Sequence, residues 1–196
     1  MNRLRTLFVY FNYFRTIPAW LIIHSCEYRE KCIEDVRAYL NHSSYKESQM
    51  GLFTFSKLLS EEKSMRNVLL NRLHRNPVLY ALFRILFKPL DTLYINMPPE
   101  NIGGGLSFQH GFATIVAAES IGGNCRIYQQ VTIGFNGTRA PVIEDDCRIC
   151  CGAKVIGGVA LHSGCVVGAG SVVVKDVPSN TVVAGVPAKE IHKGDR

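Results

Sequence analysis

Residues 143–173 read IEDDCRICCGAKVIGGVALHSGCVVGAGSVV, and a large aliphatic side chain returns at every sixth position: Ile143, Ile149, Val155, Leu161, Val167 and Val173. A helix repeats at 3.6 residues and an open strand at two, so neither produces a beat of six. A short strand followed by a tight turn does, when successive units stack and keep one large residue on a shared axis. The position four after each large residue holds Cys147, Ala153, Val159, Cys165 and Ser171, all small or medium. That is the pattern of a second inward site crowded against a corner, and Gly157, Gly164 and Gly168 suit the turns between units.

The same beat runs upstream through Ile102 and Phe108, then, after one step of seven, through Ile115, Ile121, Ile127 and Ile133. Ten residues separate Ile133 from Ile143, which leaves four extra in a loop. The position four later holds Leu106, Phe112, Glu119, Cys125 and Val131, with Glu119 the one that breaks the modest apolar rule. Twelve six-residue units, three to a triangular coil, predict a parallel β-helix of about four coils. Cys125, Cys147 and Cys165 then become small core residues, and Cys150 and Cys151 fall in a turn.

Upstream of Pro98 and Pro99 the beat stops. Tyr28, Cys32, Val36 and Tyr39 have helical spacing within Glu27–Asn41, as do Leu58, Leu59, Met65, Val68 and Leu69 within Thr54–Asn71. A third helix is expected over Val78–Tyr94, ended or kinked by Pro89. The expected organisation is therefore α+β, with an α-helical region over residues 1–94 and a β-helix with a C-terminal tail over 95–196.

The net charge of +6 is unevenly placed: residues 1–100 hold 14 Lys and Arg against 9 Asp and Glu, while residues 101–196 hold 8 against 7. The basic half reads first as a solvated helical surface; anionic lipid or a phosphorylated substrate is the alternative, and no motif points to nucleic acid. Arg3 and Arg5 precede an apolar stretch that Asn12 and Arg15 interrupt, so neither a signal peptide nor a membrane span is expected, though a peripheral membrane contact is compatible. Seven cysteines without a C-x-x-C pair read as reduced thiols of a cytoplasmic protein, not as a disulfide frame or a zinc site. Zinc chemistry of the γ-carbonic-anhydrase kind needs three placed histidines, and only His110 and His162 lie in the repeats.

The hexad repeat, the preceding helices and the ending GAGSVV (168–173) with AGVPAK (184–189) resemble the serine acetyltransferase family. More broadly they resemble the hexapeptide-repeat acyltransferases, including those of polysaccharide biosynthesis. The resemblance is dense from Tyr94 to Lys193 and looser upstream, where residues 34–38 (EDVRA) are similar to a helix of the serine enzymes. It implies a left-handed β-helix, a homotrimer with clefts between neighbouring helices, and acetyl-CoA as co-substrate without a tightly bound cofactor or metal.

Residue by residue, the resemblance assigns His110 as general base and Glu119 as an acidic neighbour. Gln109, Gln129, Arg139 and Asn96 become candidate acceptor contacts. Gly152, Ala153, Gly168, Ala169, Gly170, Gly185, Pro187, Ala188 and Lys189 become the strip that takes CoA. A general base is what the chemistry requires, because a hydroxyl is barely ionised near neutral pH and imidazole titrates in that range. The chain departs from the serine enzymes at Ile95, Gln109 and Ala140, where they carry two aspartates and a histidine. These losses shift the expected acceptor toward a sugar hydroxyl of a surface-polysaccharide precursor, with L-serine as the alternative. A non-catalytic β-helix scaffold is the reading from another class.

Overall fold

The computed structural model describes residues 11–42 and 50–193. Five helices precede the coils: α1 (Tyr13–Ser25), α2 (Arg29–His42), α3 (Leu52–Glu61), α4 (Lys63–Arg72) and α5 (Pro77–Leu86). The single helix expected over Thr54–Asn71 is two, because the chain leaves helical geometry at Glu62 (φ −98°, ψ 84°). The third expected helix starts at Pro77, where Pro occupies the first turn and the Asn76 side chain caps the Leu79 amide at 3.1 Å. It stops at Leu86, ahead of Pro89. No helix among the described residues is long and apolar enough to cross a membrane.

Strands β1 (Leu93–Ile95) to β14 (Lys189–Lys193) then form three sheets. The first contains β1, β3 (Thr114–Val116), β6 (Thr132–Gly134), β9 (Lys154–Ile156) and β12 (Val172–Val173), paired in parallel. The second contains β4 (Ser120–Ile121), β7 (Val142–Ile143) and β10 (Ala160–Leu161). Bridges Ile102–Ile121 and Leu161–Val177 extend it by one rung at each end. The third stacks β2 (Ser107–Gln109), β5 (Arg126–Tyr128), β8 (Arg148–Ile149), β11 (Val166–Val167) and β13 (Thr181–Ala184), and β14 closes it antiparallel to β13.

Each face thus has five rungs, so the β-helix has about five coils and not four. The beat starts earlier than Ile102, with the strand at Leu93–Ile95, and continues past Val173 through the buried Val177 and Val183.

One inward position is also corrected. Val116 is fully buried and pairs with Ile133, whereas Ile115 faces outward and is 47% exposed. From Phe108 to Val116 the step is therefore eight, with the two extra residues in the connection from β2 to β3. Glu119, placed inward by counting from Ile115, is exposed, and so is Phe112, which lies in the lengthened connection after the buried Phe108. A step of five from Val116 to Ile121 restores the frame, and Ile127, Ile133, Ile149, Val155, Leu161 and Val167 are then buried as expected, each worth roughly 1.5–3 kcal/mol relative to exposure. Cys125, Cys147 and Cys165 are buried in the same interior.

The helices meet the first coil through a buried ion pair. Arg72 of α4 and Asp35 of α2 are fully buried and 2.9 Å apart. Arg72 also donates to the carbonyls of Pro99, Ile102 and Gly103, while Asp35 accepts from the Leu106 amide at 2.9 Å. Both charges are hydrogen-bonded on every side that the packing offers, which is the condition for burying them. Tyr39 adds a second tie, accepting from the Phe108 amide at 3.0 Å and donating to Ser64 at 3.1 Å.

Candidate active site

The turns from the third sheet to the first stack along one edge of the prism, and this edge gathers most of the residues that the sequence singled out. Its rungs are linked by backbone hydrogen bonds: Gln130 N to Phe112 O (2.9 Å), Gly152 N to Gln129 O (3.0 Å), Gly170 N to Cys151 O (2.9 Å) and Val172 N to Gly185 O (3.0 Å). At each turn the chain passes through left-handed torsions, with φ of 63° at His110, 61° at Gln130, 71° at Gly152 and 67° at Gly170. The lower turns are bare backbone at Gly152, Ala169–Gly170 and Gly185, so a ligand can lie against peptide groups there. Ala188 donates its amide to Val172 at 2.8 Å and seats the Gly185–Ala188 turn at the foot of the same edge.

His110 heads the edge. It sits in the eight-residue step, exposed, and its left-handed backbone costs about 1–2 kcal/mol for a residue with a Cβ. The amide nitrogen of Gln109 lies 3.3 Å from His110 Nε2, and Gln109 Oε1 accepts from Arg126. Arg126 in turn lies over the Tyr128 ring at 5.3 Å. Gln129 is half-buried, and its Oε1 has no hydrogen-bond partner among the described residues.

Underneath, the loop rests on the break between α3 and α4. A Cβ on Gly111 would meet Ser64 Cβ at 3.1 Å, and the Ser64 hydroxyl reaches the Phe108 carbonyl at 3.4 Å. Glu62, two residues before Ser64, is half-buried, and burial raises its carboxyl above the ordinary 4.5, while the nearby His110 pulls it the other way. Counting residues along the repeat could not find Glu62, which comes from the helical half. Its one signal in the sequence is a pair of carboxylates, Glu61 and Glu62, the only acids between Leu52 and Arg72.

The other candidates lie elsewhere. Glu119 follows β3 and Arg139 lies in the loop after β6, so both sit on the edge between the first and second sheets. There they share a cavity of about 360 Å³ with Thr138, Ala140, Gly158 and Asp176. Asn96 and Ile95 line a third place, a cavity of about 570 Å³ with Asn71, His74, Arg84 and Ile115. His162 is paired with Glu144 at 2.8 Å on the second sheet and takes no part in the His110 edge.

A serine acetyltransferase of Synechococcus elongatus is 35% identical over 124 residues, 61% of this chain and 50% of its own. The β-helical architecture and this sequence likeness agree. The chain is similar to serine acetyltransferases in sequence and in fold. Among solved serine acetyltransferases, the Brucella abortus protein superposes with a TM-score of 0.64 at 25% identity, covering 85% of this chain and 69% of its own. The soybean serine acetyltransferase complexed with serine gives 0.62 at 27%, with coverage of 83% and 69%. A serine acetyltransferase in complex with CoA shares the fold, with a TM-score of 0.57 at 22% identity over 83% of this chain and 69% of its own. No family model matches. The chain spans about half the length of the curated serine acetyltransferases it matches. Ile95, Gln109 and Ala140 put a half-buried aliphatic, a neutral amide and a buried methyl where the resemblance led to an expectation of charge.

Proposed function

We propose that the protein is an acetyl-CoA-dependent O-acetyltransferase with His110 as its general base. The observation that carries this reading is a single edge with an exposed histidine at its head and bare peptide backbone below it. The acceptor hydroxyl loses its proton to the His110 imidazole while its oxygen attacks the thioester carbonyl. As the tetrahedral intermediate collapses, the carbon–sulfur bond breaks and the imidazolium returns the proton to the departing CoA sulfur. CoA lies along Gly152, Ala153, Gly168–Gly170 and the Gly185–Ala188 turn, with Lys189 available to its phosphates.

L-Serine is the favoured acceptor, because the relatives are named for it and two of the neighbouring structures hold it. Arg139 would take the carboxylate and Glu119 the ammonium group. In one chain both sit on a different edge from His110, and this supports a homotrimer in which a second copy brings its Glu119–Arg139 edge to the His110 edge. The exposed Tyr94, Phe112, Ile115 and Phe135 on the coils are apolar surface for such a contact. A sugar hydroxyl is the second reading, favoured by the neutral Gln109 beside His110: an uncharged acceptor needs hydrogen bonds only, whereas a desolvated zwitterion needs charged partners. Seven unpaired thiols suit a reducing, cytoplasmic compartment.

Thiol release from acetyl-CoA, with L-serine, sugars and nucleotide-sugars offered separately, tests the proposal. Wild-type turnover should fall about 10²–10⁴-fold in His110→Ala, with the melting temperature and assembly mass unchanged. Unchanged turnover in that variant refutes the general-base assignment, and absence of thiol release with every acceptor favours the scaffold reading.

A further inference from the structure

Among the described residues, fourteen large apolar side chains are exposed, and seven of them fall on or beside two neighbouring helices: Phe11, Phe14, Ile17 and Leu21 at α1, and Val78, Leu82 and Ile85 on α5. Their spacings, three to four residues in each series, place each set on one helical stripe. The two helices pack on each other, with the Arg15 guanidinium of α1 donating to the Leu86 carbonyl at the end of α5. Side chains that are 45–81% exposed in this density form a patch of the kind that marks a binding face, not scattered surface leucines.

The charge around the stripes says what covers them. Residues 11–26 contain Arg15 and no carboxylate, and residues 63–90 contain six Lys and Arg and again no carboxylate. Some of these cations are used internally: Arg72 is in the buried pair and Arg66 holds the carbonyls of Leu59, Ser60 and Lys88. Arg84 stands exposed between Leu82 and Ile85 and donates to the Tyr80 hydroxyl at 3.3 Å, and Lys88 follows with the exposed Asp91 as its partner. A twofold contact between two copies would set this face against its own cations, with no acid on either helix to pair them. An anionic lipid surface supplies the complement for both features at once, acyl chains for the stripes and headgroup charge for the arginines.

We propose that the outer face of α1 and α5 docks the protein on anionic membrane surfaces, lying in the interface and not spanning it. Trp20 and Tyr80, half-buried on the same two helices, are the amphipathic aromatics expected at headgroup depth. Docking is independent of the acetyl-transfer reading, since none of these side chains is on the His110 edge.

The test is co-sedimentation of the full chain with vesicles of pure phosphatidylcholine and of two parts phosphatidylcholine to one part phosphatidylglycerol. Binding should appear with the anionic vesicles, weaken as salt rises, and fall about fivefold on removal of one docking cation, as in Arg84→Gln. Leu21→Glu combined with Ile85→Glu should abolish it. Both positions are exposed, so the fold is expected to survive, and circular dichroism and assembly mass in the absence of lipid check this. No binding to anionic vesicles, or equal binding by the double variant, overturns the proposal. A fall in assembly mass of the double variant without lipid also overturns it, by showing the face to be a contact between copies.

Discussion

The two halves of the chain are held together by different kinds of order. In the β-helix one small rule, a large residue inward at every sixth position, is repeated on all three faces, and each rung's stability is mostly local to it and its neighbours. In the helical half nothing repeats. The Asp35–Arg72 pair, the Arg66 carbonyl contacts and the Tyr39 hydroxyl each occur once, and the first and last tie segments far apart in sequence. Damage should therefore stay shallow when it falls on one coil and run deep when it falls on one of these single ties.

The deepest break is expected at Arg72→Met. It removes the partner of a fully buried carboxylate and strips donors from three carbonyls of the first coil. Leaving Asp35 charged and unpaired costs about 3–5 kcal/mol. Chemical denaturation should show this as a lower midpoint, and Asp35→Asn in the same background should recover part of the loss, because the stranded charge is then gone.

Val116 and Ile115 sharpen the contrast from the other side. They are adjacent and both aliphatic, yet one lies inside the coil and the other outside. Val116→Ala should cost about 2 kcal/mol through lost transfer energy and a partial cavity. Ile115→Ala should stay within about 0.5 kcal/mol for the isolated chain. Equal losses would restore the seven-residue step. A loss at Ile115 that appears only in the assembled protein would instead place it at a contact between copies.

Legibility in the sequence follows the same division. The hexad beat disclosed the β-helix and the buried cysteines because periodicity is a sequence-local signal. It failed by one residue at Ile115, since a corner lengthened by two residues shifts the frame and nothing local marks the shift. The coil count was short because the end rungs, Leu93–Ile95 and Val177, depart from the six-residue spacing. His110, Gln129 and the glycine strip share one edge, as stacking of equivalent turns requires. Arg139 and Glu119 sit one corner away, a separation that a list of residues does not carry. Helix boundaries failed at Glu62 because no proline or glycine announces the break; tertiary contacts of Ser64 with the His110 loop hold it.

Glu62 is where the two halves meet at the candidate site, and it offers the smallest but most discriminating break. Burial raises its carboxyl above the ordinary 4.5, and the positive charge of His110 opposes that shift without cancelling it. An unfolded chain releases this proton near 4.5, while the folded chain keeps it to higher pH. Between those two values the folded state binds more protons, so stability falls as pH rises, and the penalty is complete above the folded value. Glu62→Gln carries no such proton. Its stability should match the wild type below 4.5 and exceed it by a small, constant amount at neutral pH, read from thermal melts across the range. A wild type that instead gains on the variant as pH rises would mean that attraction to His110 outweighs burial. In that case the helical half would be supplying the acidic partner that Ile95 cannot, and turnover in Glu62→Gln should drop while the fold persists.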